Sequence, residues 1–411
     1  MNPARRPNLF GWLVCLVLAL SACLPATPAP TEAPLPTLTP TPGIPTAIPL
    51  PADLAAIDYL SLVLIDFQDA LNGWALASSD TGYAETHEAS PGYLLRTQDG
   101  GSTWLDVTPP GLAEVRYTSY LEVLDVNTVW ALIPQADFQT GTLYHSRDGG
   151  LTWTSNPVPF GGGVLQFLDP STGIALADRG AGAGSHAVEI LQTADGGVTW
   201  TSVYHNDPSL PGAGDSLPLG GVKNGMTFLT PSTGWITGTR PVDGEIYLFL
   251  TRDGGASWSL QPVPLPAGFA SNQYMPFAPF FFGQAGILPL MIYAPGGEVS
   301  QVVYTSGDGG ATWTGDPADA RQVIPPGDIS FADALTGFSW NGGEAFYFTR
   351  DGGLTWSSLT PSLDLSDSLN CIEFVDARIG WALTGPFDSG LTWLYQTRDG
   401  GATWTQIVPQ E

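Results

Sequence analysis

One eight-residue phrase is written seven times along this chain. Its last copy, at residues 397–404, reads Thr-Arg-Asp-Gly-Gly-Ala-Thr-Trp, and the others lie at 97–104, 146–153, 193–200, 251–258, 306–313 and 349–356. The closing tryptophans are 49, 47, 58, 55, 43 and 48 residues apart. A period of that size marks a stack of supersecondary units, none of which buries its apolar surface alone. Such a chain closes into a ring or extends as a solenoid, and an ordinary single-core globule is excluded.

A second phrase precedes each copy. Ile65-Asp66-Phe67 followed by Asp69, Gly73 and Trp74, and Phe374-Val375-Asp376 followed by Gly380 and Trp381, are clear examples. An apolar run, a turn of the Asp-x-x-[Thr/Asn]-Gly kind and a second apolar run predict strand, tight turn, strand. A third strand runs into the eight-residue phrase, as at residues 92–96, and a fourth follows its tryptophan, as at 405–408. Four antiparallel strands per unit and seven units predict an all-β, seven-bladed β-propeller, in which radial packing covers both faces of every blade. The phrase around Phe280 reads as a shortened version of the turn.

Within the eight-residue phrase the aspartate suits acceptance of backbone N–H groups across a turn, and two glycines suit positive φ. The tryptophan is large enough to fill the wedge between blades. Asp99, Asp148, Asp195, Asp253, Asp308, Asp351 and Asp399 are therefore read as structural. So are Trp104, Trp153, Trp200, Trp258, Trp313, Trp356 and Trp404. Arg147, Arg252, Arg350 and Arg398, at the second position, read as solvated rim residues. The phrase resembles the Asp-box (BNR) repeat over roughly residues 60–409. That resemblance implies a turn between third and fourth strands, at the periphery and away from the central channel.

The N-terminus reads as an export signal. Arg5 and Arg6 precede an apolar run from Leu9 to Leu20, too short to span a bilayer comfortably. Leu20-Ser21-Ala22-Cys23 resembles the bacterial lipobox, which implies removal of residues 1–22 and acylation of Cys23. The expected result is a protein held at the cell membrane on its extracytoplasmic side. Residues 23–51 carry the lipidated cysteine and a Pro/Thr-rich stretch that favours extended polyproline II, a stalk reaching on the order of 80 Å. The propeller then occupies 52–411, with Asp53–Leu60 as a candidate latch strand. Cys371 would be the one thiol left in the mature domain, a buried small hydrophobe outside any disulfide.

Composition limits partners more than it names them. Lys and Arg total 13 against 39 Asp and Glu, a net charge of −26, and Lys223 is the only lysine. Such a surface repels nucleic acid and anionic headgroups, which leaves the lipid anchor as the membrane contact. A monomer is expected, without cofactor and without metal.

Connections from fourth to next first strand, and from second to third, open on one face, and here they are the long ones. Residues 78–91, 109–119, 177–186, 205–225 and 262–279 are examples. Function on a rigid scaffold concentrates on such loops. The candidate binding face comprises Tyr83, His87, Arg116, Tyr120, Arg179, His186, His205, Arg240, Tyr274 and Arg321. No two of its histidines have metal-ligand spacing, and no nucleophile–base set stands out, so no catalytic residue is assigned.

Two family resemblances bear on function. Sialidases share the Asp-box but pair it with an arginine triad and an early [Phe/Tyr]-Arg-Ile-Pro motif, absent here. The unit Phe-x-Asp-x-x-x-Gly-Trp-Ala…Thr-x-Asp-Gly-Gly-x-Thr-Trp, quoted from residues 374–382 and 397–404, is similar to the seven-bladed photosystem II assembly/stability factor type. Those proteins are binding proteins with an arginine-rich patch, whereas this surface is acidic. The resemblance implies a binding or assembly scaffold for a protein or glycan. The alternative is a carbohydrate-active enzyme using loop carboxylates.

Overall fold

The structure, a computed structural model, describes residues 61–79, 90–116, 118–265, 271–314, 322–366, 368–385 and 392–407. Cys23, the proline-rich stretch, the latch segment and the candidates Tyr83, His87 and Arg321 lie outside them. The chain is an all-β, seven-bladed propeller whose blades are four-stranded antiparallel sheets in chain order. Blade 1 runs Ser61–Phe67, Gly73–Ser78, Ser90–Thr97 and Leu105–Asp106, with a fifth short strand, Glu114–Val115, returning to pair with Ser90 and Pro91. Blades 2, 3, 4 and 6 occupy residues 120–158, 163–205, 222–260 and 328–359, and blade 7 runs Leu369–Phe374, Gly380–Thr384, Trp393–Thr397 and Thr405–Ile407.

Blade 5 departs from the regular plan. Its inner strand is split into Gln273–Pro276 and Phe280–Phe282, both paired with Ala285–Tyr293. Pro276 and Pro279 explain the break, since proline cannot donate to a ladder. Phe277 between them still donates its N–H to Pro289 O at 3.0 Å. Among the described residues the outermost position is held by isolated bridges, Gln301 with Ile324 and Thr305 with Thr314.

The apolar core is divided into seven clusters, one at each seam between neighbouring blades. A recurring stack organises several of them. The aromatic that opens the second strand of one blade lies flat on the phenylalanine ending the inner strand of the next. Trp130 stacks on Phe167, Phe338 on Phe374 and Trp381 on Phe67, each with ring centroids 3.7 Å apart. Before Phe338 and Trp381 stands a glycine that is there for space. A Cβ on Gly380 would come within 2.6 Å of the Phe374 ring.

Trp381 on Phe67 belongs to the seam that closes the ring, together with Leu62, Trp104, Leu383 and Leu394. Cys371 is buried in the same cluster, as expected of a small hydrophobe.

Candidate functional site

The repeated turn satisfies itself. Thr403 donates to Asp399 twice, from its backbone N to Oδ1 at 2.9 Å and from its hydroxyl to Oδ2 at 2.6 Å. The Thr397 hydroxyl adds a third bond to Oδ1 at 2.9 Å while accepting from Gly401 N. Gly400 and Gly401 have φ of 75° and 96°, which only glycine adopts without strain. The same bonds recur around Asp99, Asp148, Asp195, Asp253, Asp308 and Asp351. Asp195 is held down to about 2, first by the hydroxyl of Thr199 and then by its backbone N–H. Asp308 is held down to about 2 as well, first by the backbone N–H of Thr312 and then by its hydroxyl.

The inner strand of each blade has one unpaired edge, and its N–H groups need acceptors. At four of the seams the neighbouring blade supplies them. Glu122 Oε1 accepts from Phe167 N at 2.8 Å, Gln166 Oε1 from Phe228 N at 2.7 Å, and Ser330 Oγ from Phe374 N at 3.0 Å. Asp328 Oδ2 accepts from Ile372 N at 2.6 Å, and Glu373 Oε1 from Phe67 N at 2.7 Å, which closes the ring. Asp66 and Glu122 are buried, and the second oxygens of Glu122 and Glu373 have no hydrogen-bond partner among the described residues.

Burial raises all four carboxyls. Glu373 is pushed up to about 8 and Asp328 to about 7, each partly offset by the N–H it accepts. Asp66 is raised by burial, then by repulsion from Glu373 and Glu122, against a lowering bond from Gln68. Glu122 is raised by burial, and Tyr120 by burial and by the charges of Glu122 and Asp66. These inner-strand acids were not among the candidates read from sequence. For Asp66, Glu122 and Glu373 the signal was a polar residue just before the residue that ends the inner strand, a place held by Gln166 and Ser330 in other blades; Asp328, three residues before Phe331, does not follow it.

On the long-loop face the described candidates are tied into the scaffold. Arg116 pairs with Glu114 at 2.5 Å. Arg179 pairs with Glu189 at 2.5 Å and donates to Pro159 O at 2.7 Å and Gln139 O at 3.3 Å, joining blade 3 to blade 2. Arg240 pairs with Glu245. His186 is buried; its Nδ1 accepts from Lys223 N at 3.1 Å, so Nε2 carries the proton and donates to Asp178 Oδ1 at 3.1 Å. Both ring nitrogens are thereby used. His205 donates from Nε2 to Pro211 O at 3.2 Å.

Lys223, adjacent to this cluster, places its ammonium among the carbonyls of His186, Pro218, Leu219 and Gly221 at 2.5–3.1 Å. Burial lowers its pKa to about 8. Two candidates are not face residues at all. Tyr274 is 1% exposed in the core between blades 4 and 5, and burial pushes its hydroxyl up to about 12. Tyr120 turns its buried hydroxyl toward the inner-strand acids. The structure thus joins Asp178, His186 and Lys223, and separately Arg179 and Glu189, but it does not gather the candidates into one set. A cleft beside Glu245 is about 140 Å³, below the range of roughly 300–1,000 Å³ usual for a ligand pocket. Among the described residues no group of three or more His, Cys, Asp or Glu is arranged to hold a metal ion. No described helix is long and apolar enough to cross a membrane.

No protein-family model matches the chain. Among solved structures, YCF48 bound to D1 peptide superposes with a TM-score of 0.50 at 18% identity, covering 82% of this chain and 91% of that one. YCF48 from Cyanidioschyzon merolae gives 0.50 at 17%, covering 83% and 95%. The chain has a YCF48-like propeller fold. An ulvan lyase, a polysaccharide lyase, also reaches 0.50, at 11% identity over 82% of this chain and 93% of that one. At these identities the likeness is one of fold alone. In sequence, the chain is 28% identical over 270 residues to a xyloglucanase of Paenibacillus sp., covering 56% of this chain and 24% of that enzyme. It spans about a quarter of that relative's length.

Proposed function

We propose that the chain is a lipid-anchored, extracytoplasmic propeller that binds a protein or glycan at its long-loop face without transforming it. The observation that carries this reading is the pairing of that face's charged groups. Arg116, Arg179 and Arg240 each hold a carboxylate of the scaffold, and His186 has spent both nitrogens. Groups fixed in this way build a rigid recognition surface, whereas general acid–base work needs a proton carrier with a free nitrogen or oxygen at the substrate. The peptide bound to YCF48 in one of the similar structures supports a protein partner. In this reading the repeated turns are Asp-boxes, structural rivets on the opposite side, and Cys23 carries the anchor.

The partner test uses the full chain in detergent against membrane-protein peptides in a fluorescence anisotropy titration. Saturable binding that is lost when the loop at residues 206–221 is replaced supports the proposal. Binding indifferent to that replacement, and to replacement of residues 180–186 at the tip between Gly173–Gly182 and Ser185–Thr193, overturns it.

A second reading, a carbohydrate-active enzyme, is favoured by the sequence similarity to the Paenibacillus xyloglucanase. Turnover of xyloglucan or another polysaccharide by the purified chain would establish it. The anchor has its own test in Cys23→Ser, which is expected to release the protein from membranes.

A further inference from the structure

The seam that closes the ring differs from its neighbours in how its donors are used. On several seams the residue before the repeated turn, or the arginine inside it, reaches the next blade. Arg96 donates to Gly149 O at 3.1 Å and Gln192 to Gly254 O at 2.6 Å. Arg147 donates to Pro170 O at 2.8 Å and Arg350 to Ala377 O at 3.3 Å. Gln396 and Arg398 hold the same positions in blade 7, facing blade 1. There the expected acceptor, Gly100 O, is already taken by Trp381 Nε1 at 3.0 Å.

Two donors are left over. Arg398 turns back, donating from Nε to Gln396 Oε1 at 2.9 Å, which fixes the amide with Nε2 against Gly100. Gln396 is 9% exposed and its Nε2 has no partner among the described residues. Arg398 is exposed and takes part in none of the ion pairs among the described residues. Asp399, its neighbour, has its oxygens occupied by Thr397 and Thr403. Gln396 and Arg398 line a cleft of about 490 Å³ with Ser102, Thr405, Gln406 and Ile407.

We propose that this cleft is a binding site for a carboxylate-bearing sugar, a uronate. The free face of the Arg398 guanidinium offers the paired donors that a carboxylate accepts bidentately. Gln396, by accepting the Nε–H of Arg398, orders the guanidinium and leaves its two terminal nitrogens for a ligand. Hydroxyl and amide groups of Ser102, Thr405 and Gln406 match ring hydroxyls. Ile407 is the one aliphatic side chain among the described residues of the lining, which gives a peptide side chain little to fill. The volume falls inside the range of roughly 300–1,000 Å³ typical of ligand pockets. The site lies on the turn side of the propeller, independent of the long-loop face, so its failure leaves that reading untouched.

The test is isothermal titration of the full chain with sodium glucuronate, with glucose and with an acetylated tripeptide bearing a free C-terminus. Glucuronate is expected to bind saturably, and glucose at least about tenfold more weakly, the worth of a charge-assisted bond. Arg398→Gln should weaken glucuronate by about tenfold or more, while Arg350→Gln, on the neighbouring seam, leaves it unchanged. Should Arg398→Gln fail to fold, Arg398→Lys serves instead: it keeps the charge, loses the fork and is expected to weaken binding. No saturable heat up to about 50 mM, or affinity unmoved by loss of Arg398, overturns the proposal. A tripeptide that binds more tightly than glucuronate overturns the sugar assignment.

Discussion

Glu373 Oε1 accepts the backbone N–H of Phe67 at 2.7 Å, joining residues 306 positions apart in the chain. The Phe67 ring stacks on Trp381 from the same blade as Glu373, and the Trp381 indole donates to Gly100 O. One acceptor, one stack and one indole bond therefore hold the last blade to the first. Glu373→Leu should destabilise the fold by about 1–3 kcal/mol, because the buried Phe67 N–H loses its acceptor. Glu373→Gln should not, since Gln166 already performs the same task for Phe228. Chemical denaturation of the two variants at pH 6 checks the contrast; equal losses would show that the acceptor is irrelevant.

Stability should fall on the alkaline side. Glu373 and Asp328 are raised to about 8 and about 7. The folded chain thus keeps protons that the unfolded chain releases at about pH 4. Their contribution is complete below the unfolded values and is lost as pH rises through 7 and 8. Asp195 and Asp308, held down to about 2, run the other way, contributing above 3.8 and failing as pH falls toward 2. The thermal midpoint is expected to peak between about pH 4 and 6. In Glu373→Gln the alkaline decline should flatten while the acid limb stays put. A scan showing greater stability at pH 8 than at pH 5 would contradict this account.

The repeated turn should be sensitive at two atoms for different reasons. Asp399→Ala removes the acceptor of three bonds and is expected to cost about 1–2 kcal/mol. Gly401→Ala should cost more, since φ is 96° and the new Cβ would lie 2.5 Å from the Phe346 ring. Urea midpoints of the two variants give the order, and a milder effect for Gly401→Ala would reverse it.

Lys223 organises the connection between blades 3 and 4 by filling a cage of four carbonyls. Lys223→Met keeps the aliphatic stem and leaves those carbonyls unpaired, at an expected cost of about 2 kcal/mol or more. Amide exchange across residues 206–221 should accelerate while blade 6 is unaffected. Uniform acceleration across the domain would instead mean a global loss with no local role for the ammonium.

Much of the architecture was legible because it is written locally. The turn at residues 397–404 carries its own acceptors, donors and positive-φ glycines within eight residues, so its sevenfold recurrence fixed the number of blades. The Gly-Trp phrase marked the second strands, and loop lengths separated the two faces. The split inner strand of blade 5 showed only as an irregular phrase, although Pro276 and Pro279 were its visible cause.

The sites were far less legible. Tyr274 looks like a loop aromatic in sequence and is a core residue, because its strand begins earlier than its turn signals suggest. Arg179 and His186 read as free polar groups until the neighbouring blades supply Pro159 O and Lys223 N. Asp328 and Glu373 find their N–H donors 44 and 306 residues away. Sequence alone determined the repeating unit, since its bonds close within one turn. Tertiary structure decided which polar groups are spent and which, like Gln396 and Arg398, are left over, since that depends on where the adjacent blade places its backbone.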